Sequence, residues 1–144
     1  MMNYRLIEAD LYILCNDLRA MLKNGHIVLL QGEIGSGKTT LVRAFVEHTQ
    51  KHKSTQVQSP TFSLALAYES AQYGAIYHYD MYRKSPQDML ELGLLDMLMQ
   101  EGLHFVEWGD NNMQNLLKTS GFHVIGIHIT PTQGQQDRIY EVSL

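Results

Sequence analysis

The chain has 144 residues, the size of one ordinary domain that can bury a core without disulfides. Its 44% hydrophobic and 18% charged residues exclude a disordered polymer, and its formal charge of −4 removes the long-range attraction on which a wholesale nucleic-acid-coating protein depends. The single cysteine, Cys15, excludes an internal disulfide or a cysteine-built zinc site, and its neighbours Leu11, Leu14 and Leu18 mark it as a small buried hydrophobe.

In chain order, residues 2–7 read as a short strand. From about Asp10 to Lys23 the apolar positions Leu11, Leu14, Cys15, Leu18, Met21 and Leu22 recur at helical spacing, with Asp10 suited to the N-cap and Gly25 to the stop. "HIVLLQ" (26–31) is a continuous apolar run, as expected of a strand covered on both faces. "GEIGSGKTT" follows, then a helix from about Lys38 to Gln50. "KHKSTQVQSP" reads as a polar connection. "FSLALAY" (62–68) and "AIYHYD" (75–80) read as strands joined by a turn in "ESAQYG". Ser85, Pro86 and Asp88 form a helix start with a capping box, and the helical region runs to about Gln100 with Gly93 interrupting it. "LHFVEW" (103–108) is another buried strand, and "NNMQNLLKTS" a short helix. "FHVIGIHI" and "RIYEVSL" alternate as a closing antiparallel pair. With no repeat or linker, residues 1–144 read as one α/β domain with a mixed sheet and flanking helices.

Residues 32–39, G-E-I-G-S-G-K-T, fit the phosphate-binding pattern G-x-x-x-x-G-K-[ST] of a P-loop. Glycines let the backbone curl so that successive N–H groups point at phosphate oxygens, and the helix that follows turns the positive end of its dipole toward the anion. In this pattern Lys38 reaches the β- and γ-phosphates of a nucleotide and Thr39 offers its hydroxyl to Mg²⁺. The loop therefore predicts a P-loop NTPase domain.

Such a site needs an acid on a neighbouring strand for Mg²⁺ and a group that orients the attacking water. Asp80 and Glu107 both stand at predicted strand ends, where an open α/β sheet binds its ligands if those strands run parallel to 26–31. Either acid suits either task. Trp108, beside Glu107, is placed to stack on a nucleotide or meet a partner, and His78 to support Asp80. Thr61 in "QSPTF" can present its hydroxyl to the γ-phosphate or Mg²⁺, or be an ordinary turn residue. The other histidines show no metal-binding spacing.

"GEIGSGKTTL", "VQSPTF", "HYDMYR" and "VEWGD", in this order, resemble the bacterial tRNA threonylcarbamoyladenosine biosynthesis ATPase family, TsaE (formerly YjeE), over about residues 8–130. S-P-T-F, H-x-D-x-Y-R and E-W carry the likeness more than the phosphate loop, which many families share. The resemblance implies a small ATPase that docks on the two larger proteins of the tRNA threonylcarbamoyl-transfer complex, with tRNA touched only indirectly. It implies ATP and Mg²⁺ as ligands, with phosphate binding on Glu33, Ile34, Gly35, Ser36, Gly37, Lys38 and Thr39 and nucleotide contacts extending to Thr40, metal on Thr39 and Glu107, Asp80 as the essential acid near the γ-phosphate, and Thr61 as a switch threonine. Tyr82, Arg83 and Trp108 fall on recurrent motif positions. Asp10 stands where the family has Thr or Ser, and Gly109 where it commonly has Pro.

Two other classes compete. A stand-alone small-molecule kinase needs an acceptor pocket and usually an arginine-rich lid, and the sequence shows neither, with only five arginines and Arg83 the nearest candidate finger. A passive nucleotide-binding module has no need of Thr39, Asp80 and Glu107 together. A GTPase lacks its N-K-x-D base-reading motif here. The N-terminus "MMNYRLIEAD" carries no signal-peptide pattern and "IVLL" is far too short to span a membrane, so a cytoplasmic location is expected.

Overall fold

The computed structural model describes residues 1–50, 56–58, 65–81, 85–91, 93–108, 110–133 and 136–144. Among them, eight strands form one sheet: β1 (Met2–Leu6), β2 (Ile27–Gln31), β3 (Gln56–Gln58), β4 (Ala65–Ser70), β5 (Gly74–Asp80), β6 (Leu103–Glu107), β7 (Val124–Pro131) and β8 (Arg138–Ser143). Their order is β1-β8-β7-β2-β6-β5-β4-β3. The central four, β7, β2, β6 and β5, are mutually parallel, and the pairs β8–β1 and β4–β3 extend the two edges antiparallel. The predicted mixed sheet with flanking helices is the observed architecture.

The continuous apolar run at 27–30 is explained by two cores. Val28 and Leu30 face α1 (Leu11–Met21) and α2 (Lys38–Thr49), packing with Leu14, Leu18, Phe45 and Phe105. Ile27 and Leu29 point the other way, packing with Tyr79, Val106, Leu94, Leu98, Met113 and Leu117. The second face is covered by α4 (Leu94–Leu98) and α5 (Asn111–Thr119). A strand buried on both faces cannot alternate polar and apolar residues. Cys15 is fully buried in the first core, where burial pushes its thiol up to about 12.

Several local expectations meet their chemistry. Ser85 and Asp88 form a reciprocal capping box at the start of α3 (Pro86–Glu91): the Asp88 N–H donates to Ser85 Oγ at 3.0 Å and the Ser85 N–H to Asp88 Oδ2 at 3.2 Å. Gly93, at φ 80°, separates α3 from α4 as the interruption predicted. Three readings need correction. Asp10 does not cap α1 with its side chain. The chain enters that helix through a 3-10 turn (Glu8–Asp10), which leaves Asp10 at φ −102°, ψ 7° instead of the extended geometry a side-chain cap requires. "QVQ" in the supposed connection is β3, an edge strand paired with β4, whose polar character hid it from a hydrophobic-pattern search. The strand expected at 62–68 is β4 at Ala65–Ser70, with 62–64 outside the described residues.

Gly102 shows where glycine is compulsory. It sits at φ 138°, and a Cβ there would lie 2.6 Å from the Ala75 carbonyl oxygen. Gly102→Ala should therefore lower stability by at least about 2 kcal/mol, roughly 4–8 °C in Tm for a domain of this size. Gly121→Ala, at φ 96° with open space, bears only the backbone strain of about 1 kcal/mol. Thermal unfolding followed by circular dichroism would show the two variants equally stable if the Ala75 contact were unimportant.

Candidate functional site

Parallel pairing sets the site. β5, β6 and β2 all end at the same rim, and the register places Asp80 beside Glu107 and Glu107 beside Leu30. The loop between β2 and α2 crosses that rim. Gly35 and Gly37 adopt φ 78° and 107°, where an L side chain is strained, and Gly37 stands immediately before Lys38, the first residue of α2. At Gly32 (φ 153°) the constraint is also space: a Cβ would lie 2.5 Å from Ser36 Oγ and 2.7 Å from the Ile129 carbonyl oxygen.

Ile34, Gly35, Gly37, Lys38, Thr39, Thr40, Asp80, Glu107 and Trp108 line one cavity of about 390 Å³. Two predicted contacts stand apart from it. Ser36 is fully buried behind the loop, with its N–H donating to the Glu33 carbonyl at 3.0 Å and its Oγ 3.3 Å from Lys38 Nζ. Glu33 contributes its carbonyl, which accepts from Lys38 Nζ at 2.9 Å. Thr61, Tyr82, Arg83 and Gly109 lie outside the described residues.

Lys38 is held on several sides. Nζ donates to the Gly32 carbonyl at 2.6 Å as well as to Glu33, and stands 3.7 Å from the centroid of the Trp108 ring. Burial lowers the pKa of this ammonium, while the negative charges of Glu107 and Asp80 oppose the shift. Trp108 itself is at φ 70°, a conformation costing about 1–3 kcal/mol for a residue with a Cβ. Its N–H donates to the Leu30 carbonyl at 2.9 Å, so backbone pairing across β2 and β6 fixes the strained residue over the lysine.

Glu107 is 4% exposed. Thr39 Oγ1 donates to its Oε2 at 2.8 Å, and His78 Nε2 contacts the same oxygen. Burial pushes the carboxyl's pKa up, but the His78 and Thr39 hydrogen bonds and the nearby positive charge outweigh it, so the net shift is downward and the group is held as a carboxylate. His78, expected to support Asp80, makes this contact with Glu107 instead. The reason is register: His78 and Asp80 share a face of β5, and Glu107 of β6 comes level with Asp80, within reach of the imidazole.

The donor set fits a hard divalent cation. Thr39 and Glu107 offer oxygens within hydrogen-bond distance of one another, and Asp80 adds a third oxygen-bearing group on the cavity wall. Mg²⁺ commonly takes one or two protein carboxylates together with substrate phosphates, and the glycine-rich curl beside these oxygens is the geometry that admits phosphate. Elsewhere, His104 is a satisfied core residue: its Nε2 faces the Gln100 carbonyl at 2.9 Å and its Nδ1 the Tyr79 hydroxyl at 2.8 Å.

Sequence reasoning brought Lys38, Thr39, Asp80, Glu107 and Trp108 to one place. It missed the Lys38–Trp108 stacking and the His78–Glu107 contact. The signal for the second was available in part, since His78 and Asp80 are two residues apart on one strand, but the register of β5 on β6 was not.

A four-strand parallel centre with a glycine-rich loop between its β2 and the following helix, and acids at adjoining strand ends, defines a P-loop NTPase fold. Residues 7–139 match the family model described as "Threonylcarbamoyl adenosine biosynthesis protein TsaE". The chain belongs to the TsaE family. Similar proteins include two that carry the name "tRNA threonylcarbamoyladenosine biosynthesis protein TsaE". The one from Rickettsia prowazekii (strain Madrid E) is 43% identical over 90 residues, 62% of this chain and 60% of that protein. The one from Aquifex aeolicus (strain VF5) is 33% identical over 105 residues, 73% of this chain and 74% of that protein. The chain thus spans 60% of the length of the Rickettsia relative and nearly three quarters of the Aquifex one. The crystal structure of Bacillus subtilis YdiB shares the fold, with a TM-score of 0.63 and 21% identity over 96% of this chain and 82% of its own. No helix among the described residues is long and apolar enough to cross a membrane.

Proposed function

We propose that this chain is a cytoplasmic ATPase that supports threonylcarbamoyl modification of adenosine 37 in tRNAs reading codons that start with A. It binds ATP with Mg²⁺ and hydrolyses it slowly alone. Its cycle governs assembly and turnover of a complex with the two larger proteins of the threonylcarbamoyl-transfer reaction, and it meets tRNA only through them. The observation that carries this reading is the convergence of Lys38, Thr39, Asp80 and Glu107 on one cavity at the ends of parallel strands.

In this reading the loop amides and Lys38 bind the triphosphate, and Thr39 with Glu107 would hold Mg²⁺, which supplies neutralisation of the β- and γ-phosphate charge. Asp80 acts near the γ-phosphate, and Thr61 senses it. Family membership supports the tRNA-modification role, and the paired acids support turnover over passive binding.

Phosphate release from ATP, measured with and without the two transferase proteins, tests the proposal. Slow release that rises only when both are present is the expected result. Phosphorylation of an added nucleoside would point to a kinase, and ATP binding without release under every condition to a passive module.

A further inference from the structure

We infer that His78 is a positioning residue for Glu107, and that its contact sets how tightly Mg²⁺ joins the nucleotide at this site. The inference rests on the Mg²⁺·ATP reading above.

Glu107 is the most deeply placed carboxylate of the site, and one of its oxygens, Oε2, carries two contacts: the Thr39 hydroxyl and His78 Nε2. Two donors converging on a single oxygen fix the side-chain torsions of the glutamate and leave the other oxygen in a set direction. The Thr39 hydroxyl alone cannot do this, because it is itself a hydroxyl that a divalent ion recruits. When Thr39 turns its oxygen to the metal, the imidazole is the remaining described contact that keeps the carboxylate from swinging. Neighbours that orient metal-binding carboxylates commonly influence metal affinity about 10–100-fold.

The position is also one where a substitution can be read cleanly. His78 borders a second cavity of about 240 Å³, together with Thr39, Arg43, Glu47 and Tyr68. A side chain of similar or greater size therefore has room and need not disturb the packed core.

The experiment titrates ATP into wild-type protein, His78→Phe and His78→Gln by calorimetry, once in EDTA and once in Mg²⁺. Mn²⁺ binding to each protein–ATP mixture is followed by electron paramagnetic resonance. His78→Phe removes the donor, and His78→Gln keeps an N–H within reach. The expected result is unchanged ATP affinity in EDTA for all three, an approximately tenfold weaker divalent ion in the Phe variant, and recovery to within about threefold in the Gln variant. Thermal unfolding in EDTA checks that the variants are folded. Should His78→Phe fail that check, His78→Asn, polar but too short to reach, takes its place. Wild-type metal affinity in the donor-less variant overturns the inference, as does a Gln variant that is folded yet as weak as Phe. If wild-type protein takes up no ATP in either condition, the nucleotide reading falls and this inference with it, whereas normal wild-type binding with a silent Phe variant removes only the role of His78.

Discussion

Lys38→Ala should lose ATP binding by roughly 10²–10⁴ in Kd, because it removes charge-assisted contacts to phosphate oxygens worth about 1.5–3 kcal/mol each. The ammonium is already at the cavity, held by the Gly32 and Glu33 carbonyls and by the Trp108 ring. Those partners hold it stationary, while the negative charges of Glu107 and Asp80 oppose the burial that lowers its pKa. A triphosphate thus meets a pre-oriented cation instead of ordering a flexible one, and little side-chain entropy remains to be lost on binding. The variant should remain folded, since the helix that begins at Lys38 is anchored by Leu41, Val42, Phe45 and Val46 in the core. Calorimetric titration of ATP into wild-type and variant protein checks the prediction, and a variant within about fivefold of wild type, under 1 kcal/mol, would contradict it.

Asp80→Ala should behave in the opposite way: turnover falls by about 10²–10⁴, the range expected for loss of a positioned acid or base, while ATP affinity is kept or slightly improved. The asymmetry comes from charge. Asp80 is exposed on the cavity wall and carries a negative charge that repels the triphosphate, so its removal does not weaken ground-state binding. It stands level with Glu107 on the neighbouring strand, yet Glu107 is buried and tied to Thr39 and His78. The buried, hydrogen-bonded acid suits a fixed metal ligand, and the exposed one suits a group that meets water. Under the proposed function, phosphate release in the presence of the two transferase proteins, paired with ATP titration, separates the two effects. Full partner-stimulated release from the Asp80 variant would remove that residue from the chemistry.

The parts of this protein that were legible in its sequence are those fixed by local chemistry. The phosphate loop announces itself because its glycines are required by φ at Gly35 and Gly37 and by contact at Gly32. The capping box at Ser85 and Asp88 and the break at Gly93 are likewise decided within a few residues. Asp80 and Glu107 could be placed at strand ends, but their level pairing depends on the parallel register of β5 on β6, which is set by packing between segments far apart in the chain. The same long-range register decides that His78 meets Glu107. Trp108 over Lys38 needed a left-handed tryptophan, a conformation no propensity favours and only the surrounding backbone can impose. β3 was missed because three residues holding a single apolar one, Val57, are too few to establish a period.

The strand order also governs when the cavity at the strand ends can form. β2 lies between β6 and β7, so Leu29 waits for Val106 on one side and Gly126 on the other, and β1 waits for β8 near the far end of the chain. During translation the apolar segment Ile27–Gln31 leaves the ribosome well before either neighbour is made. Such non-local pairing makes for slow folding and leaves a hydrophobic strand unpaired in the nascent chain. The rim that sets Asp80 and Glu107 beside the glycine-rich loop is therefore completed only once β6 has joined both β2 and β5.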